Sequence, residues 1–234
     1  ALINLTPQPM SRYQICRKVT SHLTRALPLL ISEEEHKFGI KQQGIPDVYY
    51  VPLENGADAI YLRNQDSSID RILVNIKLCD DTKNLDYLIG SMHHELGHKY
   101  SFWLAKSIGN QKIFTRSPVF EEDLGFALVR EGIGHYFFFE LTKNGKYKNM
   151  SGFKDSDWPK DLEDWRSLAE PKRENFRKHL CYFGGYRLVK PIIDGYGRDG
   201  IEYLISNPPT SKDLIDLPFY RSKALTCLHK THRK

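Results

Sequence analysis

The chain reads as an α+β protein in which one helix leads into a small, mostly antiparallel sheet and a run of helices follows. Two changes of hydrophobic period carry this reading. Apolar residues recur every three to four positions before residue 31, alternate between residues 48 and 78, and return to helical spacing from residue 81. At 234 residues a single domain is expected, with an N-terminal α+β lobe over about residues 1–110 and a C-terminal helical lobe over about 111–234.

In chain order, Ile15, Val19, Leu23, Ala26, Leu27 and Leu30 form one face of a helix over residues 11–31. Three β-rich runs follow: VYYVPL, AIYL and ILVNIKL, the last alternating through Ile72, Val74, Ile76 and Leu78. Short connections rich in turn residues, such as Glu54-Asn55-Gly56, predict antiparallel pairing. A long helix is expected over residues 81–108, capped by Asp81 or Thr82 and stopped by Gly109-Asn110. Ser117-Pro118 announces the next helix, which should run to Thr142 before Asn144-Gly145, with Glu121 and Glu122 in its first turn. Residues 143–171 read as a connection holding one short helix near 159–168. A helix over 173–190, turn signals at Gly195-Tyr196-Gly197, a short helix over 199–206 and the break Asn207-Pro208-Pro209 complete the pattern.

Composition narrows the class. With 40% hydrophobic and 27% charged residues, and no run of eighteen apolar ones, neither disorder nor a membrane span is expected. The net charge of +5 is dispersed, and its densest run is the tail from His229 to Lys234, expected to be a solvated end. Nucleic acid is therefore not an expected partner. Cys16, Cys79, Cys181 and Cys227 form no CxxC, which excludes a zinc ribbon and a thioredoxin-like redox motif. They are expected to be reduced thiols, and with no signal-peptide pattern in ALINLTPQPMSRYQ the expected location is the cytoplasm.

The residues that carry chemistry are His94-Glu95-Leu96-Gly97-His98 on the long helix. Four residues turn a helix by about 400°, so His94 and His98 lie one turn apart with both imidazoles on one face. Two such nitrogens can meet one Zn²⁺, while Glu95 can reach a metal-activated water as general base. A catalytic zinc usually has three protein ligands and an open position. No third histidine follows at metzincin spacing, but Glu131 lies in REGIGHYF on the next predicted helix. A short connection lets the two helices pack antiparallel and bring that carboxylate to the imidazoles. Glu131 is the expected third ligand, with one Zn²⁺ per chain. His93 and His135 are expected to pack around the site without ligating.

With these motifs the chain resembles the gluzincin metallopeptidases, in which HExxH is followed by a glutamate ligand on a nearby helix. REGIGHYF looks like their third-ligand segment, and Tyr182-Phe183-Gly184-Gly185 is similar to the YxxG of aminopeptidase-type members. The resemblance covers roughly residues 57–206. It implies a zincin-like fold, with the HExxH helix packed on the C-terminal helical lobe, and a peptidase whose Tyr182 hydroxyl stabilises the oxyanion. Tyr186 and His179 are the alternatives for that role. It also implies that the strand AIYLRN, if it lies at the sheet edge, pairs with an extended peptide substrate. The glycine-rich exopeptidase motif is absent, its nearest text being Asn55-Gly56-Ala57-Asp58-Ala59, so aminopeptidase specificity is not implied. The alternatives are a catalytically silent zincin-fold binding or regulatory protein and a nucleic-acid-associated metalloprotease.

Overall fold

In the computed structural model, residues 11–39, 44–53, 57–63, 70–114, 120–142, 158–169 and 172–233 are described. The expected turn at Glu54-Asn55-Gly56, cap at Ser117-Pro118 and stop at Asn144-Gly145 lie outside them. Helix α1 (Arg12–Phe38) begins with a reciprocal cap: the Ser11 hydroxyl accepts from the Gln14 N–H, and the Gln14 side chain accepts from the Ser11 N–H. The helix runs past residue 31, where the apolar pattern stops, because its buried face continues through Glu34 to Phe38. Glu34 conceals that continuation in the sequence by being charged.

Strands β1 (Asp47–Val51), β2 (Ala59–Arg63) and β3 (Asp70–Asn75) form one sheet in the order β1-β3-β2. Leu73 of the central strand stands opposite Ile60 in the antiparallel pair and opposite Tyr49 in the parallel one. The sheet is therefore mixed, not mostly antiparallel as expected. The chain reverses twice between β1 and β3, and β3 inserts between the two earlier strands, so it must run parallel to β1. It is also shorter than the alternation suggests. The Asn75 side chain accepts from the Lys77 N–H and turns residues Ile76–Leu78 into a 3₁₀ turn.

The Asp81 carboxylate caps a short turn at Thr82–Asn84, and helix α2 (Leu85–Ser107) follows. Its first half packs Leu88, Met92 and Leu96 against Val19, Leu23 and Leu27 of α1 and Ile72 and Val74 of β3. Its second half places Tyr100 and Leu104 in another core, shared with α3 (Phe120–Leu141) and α4 (Trp158–Ser167). A helix buried on most faces shows little amphipathic contrast. Each fully buried Leu or Met contributes about 1.5–3 kcal/mol.

Helix α5 (Lys172–His179) passes through a π-helical turn (Leu180–Gly184) into α6 (Gly185–Ser206). The expected turn at Gly195-Tyr196-Gly197 is a kink within α6, where Gly197 has φ +52° and Gly200 comes against the Ile192 carbonyl. A last helix, α7 (Leu217–Thr231), was not expected. Its signal was present: Asp216 caps it, Pro218 lies in its first turn, and Leu217, Tyr220, Ala224 and Leu228 form the buried face. Among the described residues no helix is long and apolar enough to cross a membrane.

Candidate metal centre

Four glycines set how closely the helices approach. A Cβ at Gly97 of α2 would lie 3.2 Å from the Cα of Gly134 in α3, so these two helices cross with little between their backbones. A Cβ at Gly134 would lie 2.7 Å from the His94 ring, so the bare backbone there is the surface on which that imidazole rests. Gly132 meets Gly185 in the same way, with its Cβ position 2.5 Å from the Gly185 carbonyl. That contact brings the π-helical turn up to α3. The glycines of the REGIGHYF segment are therefore packing requirements.

The crossing places Glu131 over the two histidines. Its Oε2 lies 3.5 Å from His94 Nε2 and 3.3 Å from His98 Nε2. Bonds of about 2.0–2.1 Å to a tetrahedral ion put ligand atoms about 3.3 Å apart, so both separations match a shared metal. All three donors lie within 4.8 Å of one another, and the group can hold a divalent ion. The other carboxylate oxygen, Oε1, accepts from Arg130 Nε at 3.0 Å, which turns Oε2 toward the imidazoles.

The charges are mutually supporting. Burial works against ionised Glu131, but its electrostatic interaction with His98, hydrogen bonds from both imidazoles and nearby Arg130 outweigh it and hold its pKa well below the usual carboxylate value. Burial likewise opposes a charged His94, yet its hydrogen bond to Glu131 and the charges of Glu95 and Glu131 raise its pKa. Metal-binding histidines usually donate their second nitrogen to an acceptor. Here Nδ1 of His94 and of His98 is buried and meets no hydrogen-bond partner among the described residues. Packing orients the rings instead, with His98 and His135 edge-on to His94 at centroid distances of 4.5 and 4.8 Å.

Glu95 is buried beside this group and outside the donor set. Its Oε2 accepts from the backbone N–H of Tyr61 at 2.6 Å. Because β2 is an edge strand and this N–H points away from β3, the carboxylate sits along the outer edge of the sheet. Tyr182 comes from the π-helical turn. Its ring stacks on His135 at 4.4 Å and stands edge-on to His94 at 5.9 Å. Burial, followed by the negative charges of Glu131 and Glu95, raises its pKa and keeps the hydroxyl a donor. The alternatives are engaged elsewhere: Tyr186 donates to Glu140 at 2.7 Å, and His179 packs on Phe176 and Phe183 at the surface. His135, held neutral mainly by burial, supports the rings of Tyr182 and His94. His93 turns the other way, its Nδ1 2.9 Å from Glu34 of α1.

Several neighbours had no sequence signature. The N–H of Tyr61 belongs to the backbone and acquires its role only from sheet position. Asp58, which receives the Tyr87 hydroxyl, adds negative charge that reaches His94 and Tyr182. Arg130 could have been noticed as the residue preceding Glu131. No family model matches the chain, and no curated protein or solved structure is significantly similar to it, so the His94, His98 and Glu131 group stands on its geometry.

Proposed function

We propose that the protein is a zinc-dependent peptidase of gluzincin type that hydrolyses peptide bonds with Glu95 as general base. The observation that carries this reading is a His-His-Glu donor set at metal spacing with a separate carboxylate, Glu95, held beside it by a backbone N–H. Two imidazoles and one carboxylate are a usual ligand set of catalytic zinc, and a structural zinc has no use for a fourth, non-ligating acid.

A zinc ion on these donors supplies Lewis acidity toward a carbonyl and lowers the pKa of water at the site. Glu95, fixed through Oε2, keeps Oε1 to accept a proton from the attacking water and return it to the leaving amine. The protonated Tyr182 hydroxyl donates to the oxyanion as charge develops there. An extended peptide lying along the outer edge of β2 pairs with the main-chain groups that flank Tyr61, whose own N–H Glu95 occupies, and so passes Glu95 with its carbonyl held in register.

The test is metal content together with hydrolysis of an unfolded protein such as reduced casein. Wild type is expected to hold one zinc per chain and to cleave. Glu95→Gln should keep the metal and lose cleavage, and Glu131→Ala should lose most of the metal. Wild-type protein that takes up no metal when zinc is supplied overturns the proposal.

A further inference from the structure

Arg130, which turns Glu131, and Arg63 near it carry guanidinium donors that the hydrolytic chemistry does not use. Arg130 reaches Glu131 through Nε and the Ile113 carbonyl through Nη1 at 3.4 Å, and its side chain is 29% exposed. Arg63, at the end of β2, reaches the next carbonyl in the chain, that of Phe114, through Nη2, also at 3.4 Å. Its guanidinium lies 3.8 Å above the Phe102 ring and 4.9 Å from that of Phe114. Consecutive carbonyls of one short turn thus hold the two cations side by side.

The charge around them is unbalanced. Among the described residues Arg63 has no carboxylate partner, and that of Arg130 is Glu131, which the imidazoles share. Burial works against the Arg63 cation, Tyr61 partly offsets it, and the neighbouring Arg130 charge opposes it more weakly, although an arginine stays protonated near neutral pH. The aromatic faces offset part of that cost. Two half-buried like charges are relieved most by an anion that bridges them, and most of their ten N–H donors remain available for it.

Position gives this anion a place relative to the reacting bond. Arg63 is two residues along β2 from Tyr61, whose N–H holds Glu95. Two residues of strand span about 7 Å. We propose that Arg63 and Arg130 form a subsite for a carboxylate of the bound peptide, either an acidic side chain or a free C-terminus within about two residues of the cleaved bond. This rests on the peptidase reading for its substrate and makes the enzyme selective for acidic peptide segments.

The experiment is calorimetric titration of Glu95→Gln protein, with and without zinc, using three alanine-rich pentapeptides: one with a central glutamate and both ends capped, one with glutamine there and both ends capped, and the glutamine peptide with a free C-terminal carboxylate. At least one carboxylate-bearing peptide is expected to bind about tenfold more tightly than the uncharged one. Whichever does so identifies the source of the carboxylate. Adding Arg63→Gln or Arg130→Gln should remove most of that preference, with the zinc content of Arg63→Gln unchanged as the control for folding. Equal binding of all three peptides, no binding of any, or a preference that survives both arginine changes overturns the subsite. An arginine-dependent preference in a protein whose wild type cleaves nothing retains the subsite and rejects the peptidase reading. Cleavage that ignores the carboxylate does the reverse.

Discussion

At the scale of single residues, the His94 imidazole depends on an atom that is absent. Gly134→Ala would put a methyl group 2.7 Å from that ring and displace it, because the Gly97 and Gly134 backbones already leave no room. Overpacking of this kind costs about 1–3 kcal/mol, and disturbing a residue that orients a ligand weakens metal binding about 10- to 100-fold. Chelator competition on Gly134→Ala should show a loss in that range, and wild-type affinity would refute the role given to this glycine. The cysteines offer a second check. Cys79 is fully buried, and burial pushes its thiol up to about 11, whereas Cys227 is exposed. At pH 8 a thiol-reactive disulfide reagent should therefore modify Cys227 rapidly and Cys79 only on unfolding, since the thiolate is the reactive form.

Between elements, α2 is clamped from two sides. On one side, buried Glu34 of α1 holds buried His93, immediately before the candidate ligand. Removing one member of such a buried hydrogen bond typically costs about 1–3 kcal/mol. Urea unfolding of Glu34→Ala should show a loss of that order, and a change under about 1 kcal/mol would mean that the pair does not secure α1. On the other side, Gly132 and Gly185 let the π-helical turn approach α3 and bring Tyr182 to the histidines. Gly132→Ala forces the two backbones apart. It should lower the unfolding midpoint and, in an active enzyme, reduce kcat more than metal content, because it moves Tyr182 further than it moves the donors.

For the whole molecule, the candidate centre draws its donors from two helices, two from α2 and one from α3. A ligand that binds only the folded state adds about 4 kcal/mol when its free concentration is a thousand times its Kd. For a chain of this size that corresponds to a rise in Tm of about 10 °C. Zinc should raise the melting temperature of wild type in proportion to the logarithm of its concentration, EDTA should reverse the rise, and Glu131→Ala should not respond. Read alone, the chain yields what short-range geometry controls. The helical pitch pairs His94 with His98, the alternation buries Ile72 and Val74, and the spacing of apolar residues outlines most helices. Even there a charged residue hid the end of α1. Packing settles the rest: that β3 lies between β1 and β2, that Tyr61 holds Glu95, and that Arg63 stands near Arg130. These groups are far apart in sequence or belong to the backbone, and where helices carry them their positions depend on how closely Gly97, Gly132, Gly134 and Gly185 let the helices approach, a distance that no local pattern records.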